Sequence, residues 1–125
     1  MHRKALRNIS WIKGALKEFG RFPDDAQDQA TDALTAIAEG DTPEIVKPMT
    51  GLGSGMWELA IKERGDAFRV IYALQLDDDI WVVHAFQKKS KQGKATPQAD
   101  MDLIRTRLKS AEEHHRQHQT PRGTA

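Results

Sequence analysis

Between residues 56 and 87 the chain carries three runs of alternating apolar and polar residues, parted by turns too short for anything but hairpins. The runs are Met56–Glu63, Ala67–Gln75 and Ile80–Gln87, with Arg64-Gly65-Asp66 and Asp77-Asp78-Asp79 between them. Parallel neighbours need a crossover of roughly a dozen residues, whereas antiparallel ones close through two or three, so this segment is an antiparallel meander. A sheet of that size has an apolar face to bury, and helices must cover it.

The flanking segments supply those helices. Trp11, Ile12, Ala15, Leu16 and Phe19 recur at helical spacing until Gly20 stops them. Phe22-Pro23 opens a second helix whose first turn carries Asp24 and Asp25, where carboxylates complement the helix dipole. Ala26, Ala30, Ala33, Leu34, Ile37 and Ala38 form its apolar stripe as far as Gly40. Beyond the meander, Thr96 reads as an N-cap before Pro97, and Met101, Ile104, Leu108 and Ala111 give a last helix its seam. Lys4–Ile9 reads as a short first strand. The expected fold is α+β: two N-terminal helices packed on an antiparallel sheet of three to four strands, with a C-terminal helix. The 125 residues suffice for one domain, expected over residues 1–113, with a polar tail over 114–125.

Several chemistries are excluded. Without cysteine there is no disulfide, thiol nucleophile or Cys-based metal site, and a reducing cytoplasmic setting is expected. No run approaches the ~18 apolar residues of a membrane span, so no membrane partner is expected. Gly51, Gly53 and Gly55 lead into a strand, not a helix, which suits tight turning better than dinucleotide binding. His114 and His118 stand at i, i+4 with no third ligand in view, so neither metal nor cofactor is expected.

A formal net charge of +1 conceals segregation. Residues 1–22 hold six Lys and Arg against Glu18 alone, residues 23–46 hold seven acids and no Lys or Arg, and residues 84–97 hold four lysines and no acid. Such a domain has faces of opposite sign, one of which attracts polyanions. Period-2 alternation places Trp57, Leu59, Ile61, Phe68, Val70, Tyr72, Leu74, Trp81, Val83 and Ala85 on the core face. The other face collects Glu58, Lys62, Arg69, His84 and Phe86, adjoining Lys88, Lys89, Lys91 and Lys94. An Arg between Phe68 and Val70 is costly to bury unpaired, so Arg69 either bridges to Glu58 or faces an anion. Its fork suits a phosphate, and lysines with an aromatic ring such as Phe86 would complete a single-stranded RNA site.

The run Lys47-Pro48-x-x-Gly51-Leu52-Gly53-Ser54-Gly55-x-Trp57-Glu58-Leu59, followed by Phe68-Arg69-Val70-Ile71-Tyr72, His84-Ala85-Phe86-Gln87-Lys88-Lys89-Ser90 and Thr96-Pro97, resembles the phage-derived, HigB-like branch of the RelE/ParE toxin superfamily. The resemblance spans about residues 10–113. It implies a RelE-like fold and the toxin half of a type II toxin–antitoxin pair, with a helix-turn-helix antitoxin as partner. It further implies either mRNA cleavage on translating ribosomes or, as in ParE toxins, inhibition of DNA gyrase; a phage-derived protein of the same fold without activity is the third possibility.

Metal-independent cleavage requires the ribose 2′-hydroxyl to attack its own 3′-phosphate, with one proton accepted, another donated and the transition-state charge stabilised. Arg69 and Lys89 are expected to clamp the phosphate, His84 or Glu58 to act as base, and Lys88 to act as acid or phosphate contact. Lys62, Phe86, Lys91 and Lys94 are expected to hold the RNA. Oligomeric state is not legible in the sequence.

Overall fold

The computed structural model describes residues 7–76, 79–88 and 96–119. In chain order it contains β1 (Ile9–Trp11), α1 (Lys13–Phe19), α2 (Asp24–Ala38), β2 (Val46–Pro48), β3 (Met56–Glu63), β4 (Asp66–Leu76), β5 (Asp79–Lys88) and α3 (Gln98–Gln119). The five strands form one sheet in the order β1-β5-β4-β3-β2, with β1 parallel to β5 and every other pair antiparallel. The meander lies where alternation placed it. The two extra edge strands are only three residues long, too short to show a period, and β2 sits inside the glycine-rich connector. Gly51, Gly53 and Gly55 there all have φ between 81° and 89°, a region open to glycine at little cost, so the connector turns tightly into β3 as expected. Half of the expected Lys4–Ile9 strand lies outside the described residues; Arg7 and Asn8 are not strand, pairing to β5 begins at Ile9, and β1 takes Trp11 from the expected first helix, which starts at Lys13.

Both faces of the sheet carry a core. On one, α1 and α2 press Ala15, Phe19, Ala26, Ala30, Leu34 and Ile37 onto Leu59, Ile61, Phe68, Val70, Tyr72, Ile80, Val82 and Ala85. On the other, Ile104 and Leu108 of α3 cover Met49, Met56, Ile71, Ala73 and Val83, with Trp81, Phe86 and Met101 packed at the margin. The helix begins at Gln98, with the Pro97 carbonyl accepting the Met101 N–H, so Pro97 rather than Thr96 takes the cap position. It continues past Glu113 to Gln119, and the His114 ring meets Trp81 edge-on at 5.6 Å between centroids.

Alternation misassigned half of β5 for a definable reason. Ile71 pairs with His84 but Tyr72 pairs with Val82, so Val83 is an extra residue, a β-bulge. The bulge reverses the phase. Ile80 and Val82 therefore face α1 and α2, and Trp81 and Val83 face α3, the opposite of the expectation; Ala85, His84 and Phe86, beyond the bulge, lie as expected.

The bulge is held by side chains from both helix layers. Arg107 of α3 donates to the Val83 carbonyl at 3.1 Å and forks onto Glu18 of α1, Nη1 to Oε1 at 2.8 Å and Nη2 to Oε2 at 3.0 Å. Glu18 in turn accepts the Ala85 N–H at 3.2 Å. His84, 2% exposed, lies 2.7 Å through Nε2 from Asp100 Oδ1, while its Nδ1 stands 3.1 Å from Glu18 Oε1 and 3.2 Å from Arg107 Nη1. A neutral ring can donate to Asp100 and accept from Arg107; a protonated ring can donate to both carboxylates. The guanidinium fits because residue 14 is glycine: an ideal Cβ there would lie 2.9 Å from Arg107 Cζ and closer still to Nη2.

Gly14→Ala is expected to lose about 1–3 kcal/mol by displacing this fork, against a helix-propensity gain of about 1 kcal/mol. Gly20→Ala, whose Cβ would make only ordinary contacts at 3.5 Å and 3.6 Å, is expected to be neutral or mildly stabilising. Urea unfolding of the two variants checks the contrast. Burial pushes the Glu18 carboxyl up, but the bond from Arg107, the Ala85 amide and the electrostatic influence of His84 and Arg107 outweigh it and hold it below its ordinary value of 4.5. Folding thus favours the carboxylate: this stabilisation is complete above the ordinary value and is lost as pH falls through the lower folded one. Glu18→Gln should flatten the decline in unfolding free energy between about pH 6 and 3 relative to wild type.

Candidate functional site

Strand register defines the part of the sheet that α3 leaves open. Glu58, Ile71 and His84 stand side by side at the margin of α3; Ala60, Arg69 and Phe86 form the next row; Lys62, Ala67 and Lys88 form the outermost one. The face expected from alternation is therefore assembled from Glu58, Lys62, Arg69, His84 and Phe86, and Lys88, expected in the adjoining loop, ends β5 on the same face. Lys89, Lys91 and Lys94 lie outside the described residues.

Arg69 takes the middle of this face because β4 is the central strand, flanked by small Ala60 on one side and Phe86 on the other. Its Nε lies 3.3 Å from Glu58 Oε2, and the two side chains are 15% and 16% exposed. A second bond runs from Nη1 to the Phe68 carbonyl at 3.2 Å. Among the described residues, one guanidinium N–H is thus hydrogen-bonded to a carbonyl, and Nε faces the Glu58 carboxylate as an ion pair. Of the two alternatives the sequence left open, the structure shows the bridge to Glu58, with the arginine side chain not fully buried.

His84 is placed differently from a solvent-facing base. Both ring nitrogens are engaged beneath the surface, and its ring stacks on Phe86 with centroids 5.1 Å apart and planes 25° from parallel. It thereby supports the aromatic ring beside Arg69. Tyr72 lies on the α1/α2 side of the sheet, 1% exposed, and burial pushes its phenol up to about 12 against the opposing charge of Arg7. It stays protonated at neutral pH and belongs to the core, as expected.

Sequence reasoning missed the partners that hold His84. Asp100 and Arg107 lie two helical turns apart on the same stripe as Ile104, Leu108 and Ala111, and two charges on an apolar seam are the signal that marks them. Glu18, the sole acid among the first 22 residues, is the third. A cleft of about 340 Å³ opens beside Glu58, between the connector after β2 and the start of α3. Among the described residues no group of three or more His, Asp or Glu side chains is arranged to hold a metal ion, and no helix is long and apolar enough to cross a membrane.

The isolated RelE toxin of E. coli has the same fold: the TM-score is 0.54 at 17% sequence identity, covering 80% of this chain and 98% of that one. A double mutant of E. coli RelE in the free state gives 0.53 at 17% identity, covering 70% and 88%. The RelBE2 toxin–antitoxin complex of Mycobacterium tuberculosis gives 0.49 at 10% identity, covering 72% and 100%. No protein of curated function matches the chain. The model of the phage-derived Gp49-like protein family matches residues 17–109. With the helices, the five-stranded sheet and the arginine-bearing central strand in place, the chain belongs to that phage-derived Gp49-like family and has the RelE toxin fold.

Proposed function

We propose that this chain is the toxin of a type II toxin–antitoxin pair and a metal-independent endoribonuclease that cuts mRNA on translating ribosomes, silenced by a helix-turn-helix antitoxin. The observation that carries the reading is the Arg69–Glu58 pair, held at 3.3 Å on the open part of the sheet beside Phe86 and in the row next to Lys62 and Lys88. Arg69 grips the scissile phosphate with the donors that Glu58 and Phe68 leave free. Glu58, whose carboxylate borders the open cleft, takes the proton of the attacking 2′-hydroxyl. Of the two expected bases it is favoured over His84, whose nitrogens are committed and whose side chain is 3% exposed. Lys88 or Lys89 protonates the departing 5′-oxygen or steadies the phosphate charge. Phe86 stacks on a base, with His84 behind it, and Lys62, Lys91 and Lys94 hold the backbone.

Arg69→Ala is expected to lower cleavage of ribosome-bound mRNA by about 100- to 1,000-fold and to relieve growth arrest. Because the substitution also leaves Glu58 without its partner, Arg69→Lys is tested beside it: the charge stays but the fork is lost, and cleavage should remain well below wild type. Primer extension on translated mRNA, with circular dichroism to confirm folding, reads both. Full cleavage by a folded Arg69→Ala protein removes Arg69 from the mechanism; intact mRNA with blocked DNA supercoiling after induction of the wild type replaces the nuclease reading with gyrase inhibition.

A further inference from the structure

A cavity of about 190 Å³ lies between the C-terminal end of α2 and strands β2, β3 and β4, on the side of the sheet away from Arg69. Trp57, Tyr72, Leu74, Val46 and Ile37 form its walls, and Arg7 and the exposed Asp41 and Thr42 stand at its mouth. An apolar cavity of about 150 Å³ accommodates benzene, so this one has room for a single ring with a small substituent. The two aromatic walls suit such a ring.

The polar group at the bottom of this cavity has nothing in the fold to satisfy it. Tyr72 is 1% exposed, and buried tyrosine hydroxyls ordinarily find a hydrogen-bond partner. Among the described residues the one sealed side-chain donor or acceptor without a partner is Trp81 Nε1, so the Tyr72 hydroxyl, which has none either, opens into the cavity it lines. With the phenol pushed up to about 12 by burial, that hydroxyl keeps a proton to donate and lacks an acceptor for it. Arg7 adds a second donor. Its backbone N–H meets the Ala38 carbonyl at 3.0 Å and its Nη1 the Ile37 carbonyl at 3.1 Å, which fixes the guanidinium against the last turn of α2.

The charge of the occupant follows from the same surroundings. The positive charge of Arg7 is offset by Asp41 at the mouth and by the negative end of the α2 dipole, so an anion gains little here. Donors at the bottom and a carboxylate acceptor at the mouth instead match a neutral group that accepts at one end and donates at the other, as an amide does. We infer that this cavity is a binding site for a small uncharged planar amide, a single ring bearing a carboxamide or lactam, with the Tyr72 hydroxyl donating to its carbonyl. The inference is independent of the nuclease reading, since no residue of the cavity belongs to the Arg69 face.

Benzamide is the probe, titrated into the full chain while NMR follows the indole N–H signals of Trp11, Trp57 and Trp81. It should bind with a Kd of about 1 mM, within reach of a ligand of this size, and shift the Trp57 signal while the other two stay in place. Tyr72→Phe removes an unpartnered hydroxyl and keeps the packed ring, so it should fold normally and weaken binding about threefold to tenfold, the scale of one net hydrogen bond. Benzoate, which has the same shape and a negative charge, should bind wild type more weakly than benzamide, and Asp41→Asn should narrow that gap. A Trp57 signal unmoved by millimolar benzamide overturns the site. An affinity unchanged in Tyr72→Phe removes the hydroxyl from it, and tighter binding of benzoate than of benzamide overturns the ligand class; either result refutes the proposal.

Discussion

Two carboxylates, a guanidinium and an imidazole meet where α1, β5 and α3 come together, and they fit because Val83 is one residue too many for its strand. The bulge turns the Val83 carbonyl towards Arg107 and the Ala85 N–H towards Glu18. Each helix layer therefore reaches the strand with a charged side chain, and the two side chains meet each other in a forked pair. Buried charges of this kind are tolerated only when every one is paired, and removing one partner leaves the others uncompensated. Nearly all of the geometry at the open end of the sheet depends on this junction: it fixes the phase of β5, and the phase of β5 decides that His84 and Phe86, not their neighbours, flank Arg69.

The open site is then a matter of coverage. The described side chains of α3 bury the half of its sheet face that bears Met56, Ile71, Ala73 and Val83 and stop at the row of Glu58 and His84. What remains uncovered is the polar half, with an arginine at its centre that small Ala60 leaves room for. One acid at the border serves both sides, since Glu58 balances the arginine and lines the cleft under the first turns of α3. The RelE fold thus provides a platform, and the proposed chemistry rests on the few polar residues that the third helix leaves uncovered.

Much of this was legible before any coordinates. The meander, the helices and the shared face of Glu58, Lys62, Arg69, His84 and Phe86 follow from period, turn chemistry and alternation, because those signals reflect local geometry. The phase of Ile80 to Val83 was not legible: a bulge adds a residue without changing composition, and only the partner strand reveals it. β2 escaped for a related reason, being a three-residue edge held by pairing and not by pattern, and β1, expected over Lys4–Ile9, is displaced to Ile9–Trp11. The depth of His84 was likewise hidden, since alternation gives a face but not what covers it. Asp100 and Arg107 stood in plain view on an apolar seam, yet Arg107's partner Glu18 is 89 residues away, and no local rule joins them.

The outer margin of β5 has a further meaning. β1 pairs with it only as far as Val82, and a bare continuation of that margin would offer its amides and carbonyls to any passing chain. Glu18 occupies the Ala85 amide and Arg107 the Val83 carbonyl, so two side chains stand where another strand would. They act as a selvage on the fabric of the sheet, keeping neighbouring molecules from zippering together along it.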